Sequence, residues 1–188
     1  IVVATDESEL ENLEKVYQTG LKNEIEGIRK ITSEEIKEIE PFCEGIAGIH
    51  VPCTGIIDFR GATAKMVELA LAKQPESQLK LSHEVLEIKK NAETSTIVTN
   101  KGNFEAKHLV FCAGLQADRL AKKDGVDLKE KVVGFRGDYY ELTEQGHHKI
   151  KHLIYPVPNP DFPFLGVHFT RMTDGEIECG PNAVFTFK

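Results

Sequence analysis

"SHEVLEIKKNAETSTIVTNKGNFEAKHLVFCAG", residues 82–114, decides the fold class. Here the apolar period drops to two, as a half-buried strand requires. Residues 79–88, 94–99 and 103–114 predict three strands, with Asn100-Lys101-Gly102-Asn103 as the turn between the last two. Downstream, residues 130–143, 152–157, 162–170 and 175–181 continue as an antiparallel set.

Upstream the period is helical. Residues 8–20 carry Leu10, Leu13, Val16 and Tyr17 on one stripe, with an S-x-x-E capping pattern from Ser8 to Glu11 and Gly20 as the stop. Thr32 and Glu35 repeat the device in a helix ended by Pro41. Residues 62–75 and 115–125 predict two more helices, closed by Pro75 and Gly125. Helices come first and a strand-rich half follows, so the expected class is α+β, an antiparallel sheet with flanking helices.

The 188 residues suffice for one domain or two small ones, and 40% hydrophobic with 28% charged residues suits a globular protein. A net charge of −7 argues against a nucleic-acid partner. No apolar run reaches the roughly 18 residues of a membrane span. Cys43, Cys53, Cys112 and Cys179 form no C-x-x-C pair, so reduced thiols in the cytoplasm are expected. The chain opens in mid-strand without a Met and stops in another β-like run, so both ends are expected to be cut.

Four stretches carry chemistry beside a plainer reading. Leu109–Cys112 predicts an apolar strand running through Ala113-Gly114 into a helix, which either lets a backbone approach a ligand or is simply a tight turn. In residues 50–65, Thr54-Gly55 is a turn, Ile56 and Ile57 a short strand, and Asp58 and Arg60 precede a helix. Arg136, Asp138 and Tyr140 alternate with Phe135, Gly137 and Tyr139, as on an edge strand. His168 and Arg171 sit among Phe164, Leu165, Val167 and Phe169, where an imidazole and a guanidinium need partners. On a regular strand those two point to opposite faces. His147, His148 and His152 fit a solvated turn better than a metal site, and no metal is expected.

Together, in this order, residues 49–60, 109–121, 135–142 and above all 153–184 resemble the L-2-hydroxyglutarate oxidase/dehydrogenase family, within the D-amino-acid-oxidase-like FAD-dependent oxidoreductases. The resemblance implies FAD as cofactor and a small 2-hydroxy acid as substrate, with L-2-hydroxyglutarate going to 2-oxoglutarate. Family members are about twice this length and begin with a G-x-G-x-x-G unit that cradles the FAD diphosphate. This chain contains no such motif. It is therefore expected to be the middle of such an enzyme, inactive and without FAD on its own.

The same resemblance implies that residues 1–50 and 115–188 belong to a substrate domain and 51–114 to the central FAD-binding portion. It gives His168 the proton-accepting role and makes Arg60, Arg136, Tyr139, Tyr155 and Arg171 the substrate-binding candidates. Val85, Cys112, Ala113 and Gly114 would touch the cofactor. An amine or amino-acid oxidase of the same superfamily and a non-catalytic α+β binding domain are the alternatives. A homodimer, and a peripheral membrane or quinone link, stay open.

Overall fold

In the computed structural model, residues 1–162 and 164–186 are described. Pro163, inside the expected strand 162–170, and the last two residues of the expected substrate-domain segment lie outside them. The strands in chain order are β1 (Val2–Ala4), β2 (Arg29–Thr32), β3 (Ala47–His50), β4 (Val85–Lys90), β5 (Ser95–Thr99), β6 (Gly102–Ala106), β7 (Phe135–Glu141), β8 (Tyr155–Pro156), β9 (His168–Arg171) and β10 (Ile177–Phe185). The α-helices are α1 (Leu10–Lys22), α2 (Ser33–Ile39), α3 (Phe59–Lys73) and α4 (Ala117–Lys123). Helices and antiparallel strands give the expected α+β class, with open sheets.

The chain divides into two compact units: Ile1–Thr63 with Phe135–Phe185, and Ala64–Gly134 with the C-terminal residues. The changeovers between the units lie at 63/64 and 134/135. The loop after β3 stays with the first unit because Val51 packs on its core. Residues 115–134 stay with the second because α4 is tied to β4: Lys123 Nζ donates to the Val85 carbonyl (2.6 Å), and Lys90 pairs with Asp124 (2.9 Å).

In the first unit a four-stranded sheet runs β2-β3-β1-β8, with β1 antiparallel to β3 and parallel to β8. Alternation along β1 sends Val3 to one face and Ala4 to the other. Val3 joins Ile31, Ile36 of α2, Ile150, Ile154 and Ile177 in one core, while Ala4, Leu13 of α1, Ile49 and Val157 make the second. A three-stranded sheet, β7-β10-β9, continues from the β8 edge through an antiparallel bridge between Ile154 and Phe169.

The Thr32–Glu35 capping box forms as expected. The one at Ser8–Glu11 does not. Asp6 accepts from the Ser8 amide (2.9 Å), and Glu9 accepts from the amides of Thr5 (2.7 Å) and Asp6 (3.2 Å). Asp6-x-x-Glu9 presents the same spacing two residues earlier, with a charged acceptor that outcompetes a serine hydroxyl. Glu11 is left to pair with Lys15.

The second unit holds most of α3, the meander β4-β5-β6 and α4. The meander is shorter than expected: β4 begins at Val85 and β6 ends at Ala106. Leu109–Cys112 and Ile56–Ile57 are not strands. A strand exists only where a neighbour supplies its hydrogen bonds, and neither segment has one among the described residues.

Candidate functional site

β9 brings His168 to the border between the two sheets of the first unit. Its side chain is buried, with 7% of the residue exposed. Its Nδ1 lies 2.9 Å from the Gly166 carbonyl. A carbonyl oxygen can only accept, so Nδ1 carries a proton and Nε2 is the ring nitrogen left free. No buried side-chain nitrogen or oxygen among the described residues lacks a partner. Nε2, with no protein partner among them, therefore keeps contact with solvent.

Two tyrosines frame this imidazole. Tyr155 of β8 stacks on it at 4.5 Å and 13°, and Tyr139 of β7 meets it edge-on at 6.4 Å and 84°. Two glycines make that packing feasible. A Cβ on Gly166 would approach Pro156 to 2.7 Å, and one on Gly180 would strike the Tyr139 ring at 2.5 Å. Gly180 faces His168 in the β10–β9 register, so the Tyr139 ring crosses β10 over a bare α-carbon. The register of β10 against β7 shifts between Cys179 and Asn182, at this same place.

The arginines part company. Arg136 is exposed and grips Asp138 through two bonds, Nε to Oδ1 (2.8 Å) and Nη2 to Oδ2 (3.1 Å). Arg60 is exposed at the start of α3. Arg171 lies on β9 three residues from His168, hence on the other face. Its Nη1 donates to the Ile150 carbonyl (3.2 Å). His168, Tyr155 and Tyr139 are brought together, Arg171 shares a cleft wall with Tyr155, and Arg136 is engaged with Asp138.

Beside Tyr155 opens a cleft of about 580 Å³. Arg171, Lys151, His152, His50, Thr54 and Tyr155 are among the residues of its wall. Behind it, Glu40 at the end of α2 is wholly buried. Its carboxylate accepts from the amides of Lys151 (3.0 Å) and His152 (2.6 Å) and from His152 Nδ1 (2.9 Å). Burial first, then the nearby charges of Arg29 and His152, push the His50 imidazole below its ordinary range. Sequence reasoning passed over Glu40, whose only signal is an acidic residue directly before the helix-ending Pro41.

The remaining histidines of the basic stretch are used singly. His147 Nε2 donates to the Leu142 carbonyl (2.9 Å), and His148 packs edge-on against Phe42. Among the described residues no three His, Cys, Asp or Glu side chains cluster as metal ligands.

The candidate cofactor contacts all fall in the second unit. Gly114 has φ +52°, is exposed, and a Cβ built on it would meet nothing within 4 Å. Val110 (86% exposed) and Leu115 (67%) flank it. Open main chain beside uncovered apolar side chains fits a flat heteroaromatic ligand such as FAD. Cys112 is exposed and Ala113 half-buried in the same edge. The Val85 carbonyl accepts from Lys123 Nζ.

Comparison with known proteins places these features in context. The family model "FAD dependent oxidoreductase" matches residues 1–187. The L-2-hydroxyglutarate dehydrogenase of Indibacter alkaliphilus is 43% identical over the whole chain, and that of Escherichia coli K12 is 38% identical. The chain spans about half the length of the curated relatives it matches, 47% and 44% for these two. Among solved structures, the L-alpha-glycerophosphate oxidase of Mycoplasma pneumoniae with FAD bound superposes with a TM-score of 0.84 at 30% identity. All of this chain and 50% of that one are covered. L-proline dehydrogenase from P. horikoshii shares the fold, with a TM-score of 0.80 at 21% identity, over all of this chain and 50% of its own.

Proposed function

Because the chain belongs to the FAD-dependent oxidoreductase family, we propose that the protein oxidises a 2-hydroxy acid, L-2-hydroxyglutarate to 2-oxoglutarate, with His168 as the proton acceptor. The observation that carries the reading is the state of that imidazole. Nδ1–H is fixed on the Gly166 carbonyl, so Nε2 is the atom left to meet a substrate hydroxyl. The stack with Tyr155 and the edge contact with Tyr139 hold the ring's plane, and a fixed plane is what proton transfer at a defined angle needs. Their phenolic hydroxyls are the candidate donors to a substrate oxygen.

FAD, when bound, supplies the hydride acceptor. Cys112, Ala113 and Gly114, with the Val85 main chain, are the residues of this chain that would hold it. The names of the relatives support the substrate, and the structural fit of the second unit's open edge supports the cofactor contact. Four free cysteines suit a reducing cytoplasm. No helix among the described residues is long and apolar enough to cross a membrane.

The test is His168→Asn in the full-length protein. Rapid mixing with L-2-hydroxyglutarate should show flavin reduction slowed about 10²- to 10⁴-fold, with FAD content and melting temperature nearly unchanged. Early melting with normal reduction would instead make His168 a packing residue.

A further inference from the structure

β7 is an edge strand. β10 lies on one side of it, and among the described residues no strand lies on the other. The bonds at its two ends fix which way its main chain points. The Leu142 amide donates to the Ile177 carbonyl (2.9 Å), and the Gly134 carbonyl accepts from the Thr186 amide (3.2 Å). Even-numbered positions therefore bond toward β10, and the amides and carbonyls of Phe135, Gly137, Tyr139 and Glu141 face outward. The register shift puts its extra residue on β10, between Cys179 and Asn182, and leaves the alternation of β7 intact.

Exposed edges are ordinarily blunted. β2, another edge strand of the same unit, shows how: it has four residues, with Arg29 and Lys30 tied to Glu35 and Glu14. β7 has seven residues, no Lys and no Pro. Phe135, Tyr139 and Tyr140 are exposed on it. Its sequence is also self-complementary about Gly137. With two copies antiparallel and a two-fold axis through Gly137, the outward-facing groups of each strand bond to those of the other. Phe135 then stands opposite Tyr139 of the partner subunit, an aromatic cross-strand pair made twice. Arg136 stands opposite Asp138 of the partner subunit at a non-hydrogen-bonded position, where α-carbons lie about 4.5 Å apart. Arg136 and Asp138 already form an exposed ion pair on one face of β7. Two such pairs meeting across the axis close a ring of four alternating charges. Moving the axis to Tyr139 sets Arg136 against Leu142 of the partner subunit and loses both cross-pairs.

We propose that β7 is the interface of a homodimer, in which a second copy adds its own β7 antiparallel across Gly137 and the Arg136–Asp138 pairs fix the register. The partner is this chain itself, because the edge carries both members of each charge pair and both members of each aromatic pair. Tyr139 also meets His168 edge-on, so Phe135 of the partner subunit packs beside a ring of the candidate site. Joining one strand to one strand belongs with the small interfaces, below about 1,200 Å² in total, so the dimer is a reversible one. The proposal stands whether or not His168 takes a proton.

Sedimentation of the full-length protein between about 1 and 200 μM should show a monomer–dimer equilibrium, weakened by added salt. Arg136→Asp and Asp138→Arg should each raise the dimer Kd at least tenfold, because each sets like charges across the axis. Mixed in equal amounts, those two variants should dimerise with each other, an acidic edge against a basic one. Both side chains are exposed, so both variants should melt like the unaltered protein. Hydrogen exchange at the Gly137 and Tyr139 amides should slow as concentration rises, while the Arg136 and Asp138 amides stay protected throughout. A full-length protein that remains monomeric over that range overturns the proposal, and slow Gly137 exchange in such a monomer would assign the edge to another part of the same chain. A dimer whose Kd neither variant changes overturns it as well. Should either variant fail to fold, the concentration dependence of Gly137 and Tyr139 exchange decides alone.

Discussion

The two units bury their apolar residues very differently. Among the described residues, every buried apolar side chain except Ile88 lies in the first unit. The second leaves Met66, Leu69, Leu81, Val110 and Leu115 in contact with solvent, Leu81 at 71% and Val110 at 86%. Both have regular strands and helices, so the difference does not lie in local structure. It lies in layering: the first unit's principal sheet has α1 on one face and α2 on the other, and each face closes on a core. Hydrogen-bonded strands alone do not make a stable body; covered faces do. The unit with the catalytic candidate closes two apolar cores, and the unit with the cofactor candidates closes none among the described residues.

Paired truncations probe that contrast most strongly. Ile36→Ala, in the first unit's core, should cost about 2–5 kcal/mol in denaturant unfolding, while Leu81→Ala in the second should stay within about 0.5 kcal/mol. Equal costs would mean that Leu81 is covered in solution and would remove the contrast. Next in size is Glu40→Gln. An amide in place of the buried carboxylate strands a backbone donor, so a loss of about 1–3 kcal/mol is expected, with faster hydrogen exchange at the Lys151 and His152 amides. Normal exchange there would show that Glu40 does not hold the cleft wall.

Gly114→Val sharpens the second unit's role. A β-branched residue at φ +52° carries strain of about 1–2 kcal/mol, with no clash in the protein itself, so the fold should persist while FAD content falls. A variant that purifies with its full complement of flavin would make the glycine a turn and nothing more. The smallest effect is the pH dependence contributed by His50. Its folded pKa is lowered, mainly by burial, so the unfolded chain takes up the proton first. Its share of stability is complete above about pH 6.5 and is lost as pH falls below that value. His50→Gln should flatten the stability profile slightly on the acid side and leave it unchanged above pH 7.

The helices were legible because their signals are local. The Thr32–Glu35 box, Pro41 and Gly125 each act on neighbours within four residues. The Ser8–Glu11 pattern failed for a local reason too, since Asp6 and Glu9 satisfy the entering amides two residues earlier. Leu109–Cys112 failed for a non-local one: an apolar run needs a hydrogen-bonding neighbour to become a strand, and spacing cannot show whether one is there. The site divides along the same line. His168 was legible as a polar residue out of place. Its meeting with Tyr155 and Tyr139 was not, because it depends on the registers of three strands and on bare α-carbons at Gly166 and Gly180. Arg136 carried its own warning, since Asp138 two residues on shares its strand face.

The parallel pairing of β1 with β8 has a consequence on the ribosome. Val2 lies beside Tyr155, so 155 − 2 = 153 residues separate the partners. At about 5–20 residues per second, β1 is made roughly 8–30 seconds before the strand that completes its second edge. β3 covers one side early, but the other remains a row of unpaired amides and carbonyls that any passing strand can use. The tyrosine that supports His168 is therefore also the residue whose arrival ends that exposure, and slow codons between β3 and β8 should raise aggregation of the newborn chain without altering the finished protein.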